Sequence, residues 1–379
     1  MPIRMRLSSP REFCTNRAPA VSEKDSNFQT LHEFVVAARQ NLSRDVWDYI
    51  IGGADTETTL KRNRQSLDSL AFRPRVLRNV EDLDCSGSLL GHRLRIPVLL
   101  APIGSLQDIV EGGGATVTRA AANFGITHML SSVCAPGLEA VAEAADGPKI
   151  YQLYVRGDAD WVDEQVRRAT AAGYVGFCLT VDLDHYGRRE RDIVKRHQST
   201  SRQSSSQEEF QERLSWDDIK RIRDNFDIPL ILKGIATAED AAIAVEHGID
   251  GVYVSNHGGR QLDHGRGAIE ILPEVAAEVG GRAEIIVDGG FMRGTDIVKA
   301  LALGANAVGI GRLQGFAAAA AGAEGVVRAL EILETEIEIA LVLLGVTGVG
   351  QLDPNYVTAA APVGEPGVLS ALPLLDEDY

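Results

Sequence analysis

Short apolar runs that seldom alternate with polar residues recur along the chain from residue 97 onward. The eight runs are Val98–Ala101, Ile126–Leu130, Ile150–Leu153, Val175–Val181, Leu230–Leu232, Val252–Val254, Ile285–Val287 and Val308–Ile310. Strands of a parallel sheet are buried on both faces, so they occur in a sequence as short continuous apolar segments. The pattern therefore predicts eight parallel strands.

Segments with helical periodicity lie between most of these runs. The clearest are Asp160 to Ala172, Thr237 to His247 and Gly294 to Leu303, and a glycine that can end a helix follows the last two. Repeated strand–helix units over roughly 250 residues predict a (β/α)8 TIM barrel, here spanning residues 97–345. The rival architecture is an open doubly wound sheet, but no G-x-G-x-x-G turn follows the first run.

Amphipathic helices predominate before the barrel. The predicted elements are a helix from Phe28, a helix from Asp45 to Ile51, a helix from Thr56 to Leu70 and a hairpin from Leu83 to Leu94. We expect residues 28–96 to form an N-terminal helical extension that packs on the barrel. Residues 1–27 are polar and interrupted by prolines, which favours disorder, and residues 346–379 form a C-terminal tail.

Composition narrows the range of partners. A formal net charge of -15 and a pI near 5.0 argue against nucleic acid or an anionic membrane surface. The four cysteines are scattered, so we expect neither a metal site nor a disulfide framework. No apolar run approaches the roughly 20 residues of a membrane helix, and arginines interrupt the N-terminus where a signal core would lie. We expect a cytoplasmic protein with no membrane partner.

Polar residues and glycines follow the ends of all eight runs. In chain order these are Gly104, Ser131, Gln152 with Tyr154, Thr180 with Asp182, Lys233, His257 with Arg260, Asp288, and Gly311 with Arg312. Catalytic residues of such barrels lie at the C-terminal ends of the strands, so these side chains are expected on one face. Each alone is explained by the need of a strand to end. Together they include a base, an acid and several cations, which predicts a site for a cofactor and a substrate.

The most informative strand end is the stretch from Tyr253 to Asp263. His257 offers a proton acceptor near neutral pH, and Arg260 offers a planar fork for a carboxylate. Two glycines separate them and make the backbone permissive, so both side chains can point into one cavity.

Two other groups of strand-end residues suit parts of a cofactor. Neutral side chains that both donate and accept hydrogen bonds suit the edge of a heterocycle, and they are Ser131, Gln152 and Thr180. The glycines after Asp288 and before Arg312, close to a helix start at Gly294, suit a phosphate.

Longer motifs surround these residues. They are Ser255-Asn-His-Gly-Gly-Arg-Gln-Leu-Asp263, Leu179-Thr-Val-Asp182, Asp288-Gly-Gly290 with Arg293-Gly-Thr-Asp296, Tyr151-Gln-Leu-Tyr154, Gly187-Arg-Arg-Glu190 and Leu232-Lys-Gly234. On these motifs the chain, from about Phe28 to Leu352, resembles the FMN-dependent L-2-hydroxy-acid oxidases and dehydrogenases. That family includes glycolate oxidase, lactate oxidase and mandelate dehydrogenase, and the motifs fit oxidases and dehydrogenases alike.

The resemblance implies FMN as the cofactor and oxidation of a 2-hydroxy acid to the 2-oxo acid, with hydride or its equivalent passing to flavin N5. It implies that His257 takes the hydroxyl proton while Asp182 accepts the other imidazole N–H. Lys233 would stabilise negative charge at the N1/O2 edge of the flavin. The electron acceptor would be O2 or another redox partner, and analogy suggests a homo-oligomer, a tetramer.

The resemblance also assigns binding roles. The implied substrate-binding residues are Tyr49, Tyr154, Arg189 and Arg260. The implied cofactor-binding residues are Ala101, Pro102, Ile103, Gly104, Ser131, Gln152, Thr180, Lys233, Ser255, Asp288, Gly289, Gly290, Arg293, Gly311 and Arg312.

The chain departs from the family pattern near the expected site. Phe291 and Met292 stand where relatives carry an arginine, which removes one phosphate-binding cation and predicts weaker FMN binding. Val133 stands where many relatives have a bulky aromatic residue, which predicts a wider substrate pocket. The Ser/Gln-rich stretch from His197 to Gln211 predicts a mobile lid within residues 186–215.

Two other functions remain open at this point. An FMN barrel resembling the type 2 isopentenyl-diphosphate isomerases would share the fold, but the carboxylate-binding set of His257, Arg189 and Arg260 argues against it. A cofactor-poor barrel acting as a binding module would place no constraint on the His257–Asp182 pair or on Lys233. Such a protein would be colourless when purified.

Overall fold

The computed structural model describes residues 28–203 and 208–377. The segment predicted to be disordered, residues 1–27, lies outside the described residues. Neither described stretch contains a helix long and apolar enough to cross a membrane. Within the same two stretches, no group of His, Cys, Asp and Glu side chains is arranged to hold a metal ion.

The N-terminal extension combines helices with short strands. Its elements are α1 (Leu31–Asn41), α2 (Arg44–Ile51), α3 (Thr58–Asp68), β1 (Leu70–Phe72), β2 (Gly87–Leu89) and β3 (His92–Leu94). The Ser43 hydroxyl accepts the Val46 N–H and so caps the start of α2. Strands β2 and β3 form an antiparallel hairpin. The apolar face of α1, which includes Leu31 and Phe34, is buried.

Eight parallel strands then close into a barrel, which confirms the predicted (β/α)8 fold. They are β4 (Val98–Leu100), β5 (Thr127–Ser131), β6 (Lys149–Leu153), β7 (Gly176–Thr180), β8 (Leu230–Ile235), β9 (Gly251–Val254), β10 (Glu284–Val287) and β11 (Ala307–Ile310). Strand β11 pairs with β4 through Val308 beside Val98 and Ile310 beside Leu100, so the sheet has no open edge. This closure excludes the doubly wound alternative.

Helices follow the barrel strands. They are α4 (Leu106–Ile109), α5 (Gly113–Phe124), α6 (Leu138–Ala144), α7 (Ala159–Ala171), α8 (Glu190–Lys195), α9 (Thr200–Gln203), α10 (Glu208–Glu212), α11 (Trp216–Asn225), α12 (Ala238–Glu246), α13 (Ala268–Val279), α14 (Gly294–Ala302) and α15 (Arg312–Leu344). Local side chains fix several starts: Thr237 caps α12 by accepting the Asp240 N–H, and Asp158 caps α7 by accepting the Trp161 N–H. Helix α15 is interrupted at Gly322, where the backbone is not helical.

The segment predicted to act as a lid contains α8, α9 and α10, with residues 204–207 outside the described part. The Gln211 side chain joins α10 to the barrel, because its Nε2 donates to the Thr180 carbonyl (2.9 Å) and its Oε1 accepts the Val155 N–H (2.7 Å). Arg191 in α8 donates to the Glu57 carboxylate of the N-terminal extension. The mobility of this segment stays a prediction.

After α15 the chain returns to the N-terminal extension. Strand β12 (Val357–Ala359) pairs antiparallel with β1, and 3-10 turns occupy Val349–Gln351, Pro354–Tyr356 and Pro373–Glu377. Residues 361–365 are exposed, whereas Leu372 is buried and the last turn contacts α1. The tail is therefore held at β12 and again at Leu372.

Candidate active site

His257 lies just beyond the C-terminal end of β9, at the start of a tight turn. The φ angles of His257, Gly258 and Gly259 are 56°, 63° and 76°. This left-handed conformation suits glycine and is uncommon for histidine, so the surrounding contacts must hold it. One of them is the hydrogen bond from the His257 N–H to the Ser255 hydroxyl (3.0 Å). The turn places the imidazole in a cavity that Lys233 also lines.

The imidazole of His257 lies between an acid and a phenol. Its Nδ1 is 2.9 Å from Asp182 Oδ1, and its Nε2 is 3.3 Å from the Tyr154 hydroxyl. The carboxylate favours a proton on Nδ1, which leaves Nε2 as an acceptor directed toward the cavity. Because β7 and β9 both flank β8 in the barrel, residues 75 positions apart in the sequence meet at one strand end.

The electrostatic surroundings keep His257 neutral. Burial lowers the pKa of His257 most strongly; Asp182 opposes this shift, while Lys233 and Arg189 add to it, so the pKa lies below 6.5. Burial raises the pKa of Asp182, but its contact with His257 and the charge of Lys233 outweigh that effect and hold its pKa below the ordinary value. A neutral imidazole beside an ionised carboxylate is the state from which a general base can accept a proton.

Lys233 is the centre of a second polar group. Its Nζ donates to the Ser255 hydroxyl (3.0 Å) and lies 3.7 Å from Asp288 Oδ2, and Ser255 donates to Asp288 Oδ1 (2.6 Å). Burial lowers the pKa of Lys233, but the carboxylates of Asp288 and Asp182 raise it more, so the net shift is upward. The cavity is therefore lined by a fixed ammonium ion.

Two arginines bring further positive charge to the cavity. Arg260 donates to the Tyr49 carbonyl (2.6 Å), and its guanidinium lies 4.8 Å from the centre of the Tyr49 ring. Arg189 donates to the Tyr186 hydroxyl (2.5 Å) and to Gln261 Oε1 (3.2 Å). Burial, together with repulsion from Arg189, lowers the pKa of Arg260. An anionic ligand between the two guanidinium groups would offset that repulsion.

The loop after β4 forms another wall. Ala101, Pro102, Ile103 and Gly104 all line the cavity, as does Val133 beyond β5. The Tyr49 hydroxyl donates to the Gly104 carbonyl (3.2 Å), which joins α2 to this loop. The predicted substrate residue Tyr49 and the predicted cofactor loop are thus in direct contact.

The neutral set predicted for a heterocycle lies in the barrel next to Lys233. Ser131 and Gln152 are partners in the β5–β6 register, and Thr180 is the partner of Lys233 between β7 and β8. Gln152 Nε2 donates to the Thr180 hydroxyl (2.8 Å), but Gln152 Oε1 is buried without a hydrogen-bond partner in the described structure. A buried acceptor without a donor is costly, and an N–H on a flavin edge would satisfy it. These residues therefore fit FMN.

The turn after β10 borders the opposite part of the cavity. Gly289 and Gly290 have φ angles of 109° and 85°, and a Cβ at either position would come within 3.1 Å of Asn63 atoms. Only glycine fits such a turn, because it lacks a Cβ. Met292 follows the turn, is 2 % exposed and lines the cavity.

Arg293 and the start of α14 engage carboxylates of the protein itself. Arg293 Nε donates to Glu336 Oε2 (3.2 Å), and Nη2 lies 2.5 Å from Oε1, outside the cavity lining. The Met292 and Arg293 amides both donate to Asp296 (3.1 Å each), and the Gly294 amide donates to Glu336 (2.6 Å). Two carboxylates engage these donors, which argues against the predicted phosphate role, and that role stays a prediction.

Arg312 does line the cavity, but its donors are also engaged. They donate to the carbonyls of Ile50 (3.0 Å), Gly258 (3.1 Å) and Gly52 (2.9 Å). Burial, with repulsion from Arg260, lowers the pKa of Arg312 to about 9. Its guanidinium thus joins the end of α2 to the His257 turn while adding positive charge to the cavity.

Several residues that line the cavity were not predicted from the ends of the apolar runs. Among them are Arg64, Val155, Leu183, Tyr186, Gln211 and Val368. Leu183 and Tyr186 follow Asp182 in the same loop, so their proximity was open to inference from the motif. Arg64 donates to both oxygens of Asp296 (2.7 and 2.8 Å), an interaction across distant elements. Val368 lies in the tail, where the local sequence gives no indication of its position.

Comparisons with known proteins agree with this geometry. A model of the FMN-dependent dehydrogenase family matches residues 38–359. Glycolate oxidase 1 of Oryza sativa subsp. indica is 37% identical over 348 residues, which cover 86% of this chain and 94% of that protein. A peroxisomal (S)-2-hydroxyacid oxidase of Arabidopsis thaliana is 36% identical, covering 86% and 95%. The crystal structure of mandelate oxidase with (S)-2-phenylpropionate gives a TM-score of 0.82 at 34% identity, covering 89% of this chain and 100% of that one.

Proposed function

The chain belongs to the family of FMN-dependent dehydrogenases, and we propose that it oxidises an L-2-hydroxy acid with an apolar side chain to the 2-oxo acid. One observation carries this proposal: neutral His257, held by Asp182, shares a cavity with Arg189 and Arg260. Such a set suits a substrate that presents a carboxylate next to a hydroxyl. The isomerase-like and binding-module alternatives are not favoured, because the relatives are 2-hydroxy-acid oxidases.

His257 acts as the base in this proposal. Its Nε2 takes the hydroxyl proton of the substrate, and Asp182 stabilises the imidazolium that forms. The hydrogen on Cα leaves with its electron pair, so the substrate loses two electrons and two protons in total. FMN supplies the two-electron acceptor for that hydrogen when it is bound.

Arg260 and Arg189 hold the substrate carboxylate. A guanidinium provides two parallel N–H donors that match a carboxylate, which fixes the acid relative to His257. The hydroxyl groups of Tyr49 and Tyr154 complete the polar side, and Tyr154 already lies 3.3 Å from His257 Nε2. Burial raises the pKa of Tyr154, so its phenol stays protonated and can donate a hydrogen bond.

The residues that would hold FMN fall into two groups: one lines the cavity around Lys233, and the other, Ser131, Gln152, Thr180 and Ser255, is buried and not part of the lining. The polar set Ser131, Gln152 and Thr180 would satisfy the flavin edge, with Lys233 adding a positive charge. The remaining assigned contacts are the loop Ala101 to Gly104, Ser255, Asp288, the turn Gly289 and Gly290, and Gly311 with Arg312. Lys233 would stabilise negative charge that builds up on the cofactor side during the reaction.

The side chain of the substrate meets apolar groups. Val133, Val155 and Leu183 line the cavity, and a valine at 133 takes less room than an aromatic residue would. This favours an acid larger than glycolate. The likeness to a mandelate oxidase supports an aryl or branched alkyl side chain.

The electron acceptor, assembly and location complete the proposal. O2 is the acceptor we favour, since the relatives carry the name oxidase. We expect a homo-oligomer, a tetramer by analogy with the family. We also expect a reducing compartment such as the cytoplasm, since Cys85, Cys134 and Cys178 are free thiols.

An anaerobic titration tests the proposed function. Purified protein should be yellow, and L-mandelate or a branched L-2-hydroxy acid should bleach its visible flavin band, whereas the D-enantiomers should not. Readmission of O2 should restore the band. Colourless protein, or a flavin that no L-2-hydroxy acid reduces, would contradict the proposal.

A further inference from the structure

Tyr253 is a buried tyrosine that faces Lys233. It is 0% exposed and is the cross-strand partner of Lys233 in the β8–β9 register. The Lys233 ammonium lies 5.3 Å from the centre of the Tyr253 ring. That distance allows a cation–π interaction, which stabilises a positive charge without neutralising it.

The barrel makes room for the hydroxyl of Tyr253. A Cβ at Gly309 on β11 would collide with that hydroxyl, and the same added atom would lie 3.3 Å from Asp288 Cβ. Any residue larger than glycine at 309 would therefore exclude the phenol. Tyr253 and Asp288 converge on this one position, at the edge of the cavity that Gly309 lines.

Asp288 and Tyr253 both stabilise the Lys233 ammonium, but only the carboxylate offsets its charge. The carboxylate forms an ion pair with Nζ at 3.7 Å, and a closer approach would offset more of the positive charge. Burial, and then Asp288, raise the pKa of Tyr253 well above its ordinary value, so the phenol is a neutral donor available to that carboxylate. The Tyr253 hydroxyl is buried without a hydrogen-bond partner in the described structure, and Asp288 is the carboxylate that acts on it.

We propose that Tyr253 is a positioning residue for Lys233. Its ring supports the ammonium from one side, and its hydroxyl engages Asp288, so that the cation keeps its charge directed at the cavity. The inference rests on the proposed function in one respect, namely that FMN binds on the Lys233 side of the cavity.

The midpoint potential of bound FMN measures this role independently of turnover. Loss of the ring in Tyr253→Leu should shift the reduction equilibrium against the reduced flavin by about 3- to 30-fold, which spans cation–π contacts from exposed to desolvated sites. Tyr253→Phe keeps the ring and loses the hydroxyl, so it should shift the equilibrium in the same direction by less. Dye-coupled reduction with dithionite gives the potential without any hydroxy acid.

Tyr151→Phe is the matched control. Tyr151 is a buried barrel tyrosine on β6 whose ring packs on Tyr174 (5.7 Å) and Phe177 (6.0 Å), and it should leave the potential unchanged. Tyr253 variants with a lower Tm and an unchanged potential would reduce Tyr253 to a core residue and overturn the proposal. The proposal would also be overturned if Tyr151→Phe shifted the potential as much as the Tyr253 variants. If the potentials shift but no hydroxy acid reduces the flavin, only the proposed function fails; protein that binds no FMN would overturn both.

Discussion

The two ends of the cavity use their charged residues differently. At the His257 end, Asp182 holds the imidazole at 2.9 Å and leaves Nε2 directed toward the cavity. At the end formed by the β10 and β11 turns, Arg312 is bound to backbone carbonyls, and Arg293, which lies outside the cavity lining, is paired with Glu336. His257 thus presents its reactive atom to a ligand, whereas Arg293 and Arg312 hold parts of the protein together; Arg260 combines the two, since it lines the cavity and also donates to the Tyr49 carbonyl.

The difference shows that a charged residue in a sequence motif does not by itself identify a ligand-binding group. A buried cation must find acceptors, and it takes those of the protein when they are nearer than a ligand. His257 avoids this outcome because Asp182 binds Nδ1 and so leaves Nε2 available to a ligand. If FMN binds as proposed, its phosphate would rely mainly on the glycine-rich turns after β10 and β11 and on the positive charge of Arg312.

Removal of the base should have the largest effect. In His257→Gln, flavin reduction by substrate should fall by roughly 10²–10⁴-fold, because a positioned base is lost. The flavin content and the fold should be retained, since the side chain faces the cavity and not the core. Anaerobic stopped-flow reduction measures the rate. A variant that is reduced at nearly the normal rate would show that another group takes the proton.

Loss of the guanidinium fork should have the next largest effect. Arg260→Lys keeps the charge but not the two parallel donors, so KM should rise and kcat should fall, with kcat/KM lower by roughly 10- to 100-fold. Methyl esters of good substrates should react poorly with the unmodified enzyme. The control is Arg266→Lys, since Arg266 forms an exposed pair with Glu274. Equal turnover of acid and ester would remove Arg260 from the carboxylate site.

Most of the fold, and the His257 end of the cavity, could be predicted from the local sequence. Eight apolar runs predicted the eight strands, because a strand that is buried on both faces is a continuous apolar segment in the sequence. His257 and Asp182 then met because all strand ends of a barrel share one face. Neither step needed knowledge of a distant partner.

The contacts at the end of the cavity formed by the β10 and β11 turns, where the phosphate was expected, could not be predicted in the same way. The partner of Arg293 is Glu336 on α15, and the partners of Arg312 include carbonyls of α2, which pack there only in the tertiary structure. The role of Tyr253 could not be predicted for a related reason. It lies within an apolar run, and its contact with Lys233 depends on the strand register. The position of Val368 in the cavity lining could not be predicted either, because it depends on how the C-terminal tail packs.

A new cation at the phosphate end should have a moderate effect. Met292→Arg should strengthen FMN binding by roughly 1.5 kcal/mol, the lower range for a hydrogen bond to a charged group, because nearby Arg64 opposes a second guanidinium. Equilibrium dialysis measures the dissociation constant, and Met292→Leu controls for side-chain volume. Arg293→Met should leave the constant unchanged, since Arg293 is paired with Glu336. The prediction fails if Met292→Arg has no effect or if Arg293→Met weakens binding.

A shift in pH dependence should be the smallest effect and the sharpest test of the base end. The reduction rate should fall as pH drops through the pKa of His257, and that pKa is lowered, so the decline should begin below 6.5. Asp182 raises the pKa of His257, so Asp182→Asn should move the decline to still lower pH. Its maximal rate should also fall, though less than in His257→Gln, because the imidazolium loses its carboxylate and the amide can favour the wrong tautomer.

Asp184→Asn is the control for this measurement. Asp184 is an exposed carboxylate two positions away, and no hydrogen bond joins it to His257 in the described structure. Its removal should leave the pH profile close to that of the unmodified enzyme. If Asp182→Asn moved the decline to higher pH, Asp182 would not be the group that stabilises protonated His257. If both aspartate variants moved the decline equally, a general loss of negative charge would explain the profile, and the 2.9 Å contact between Asp182 and His257 would have no special role.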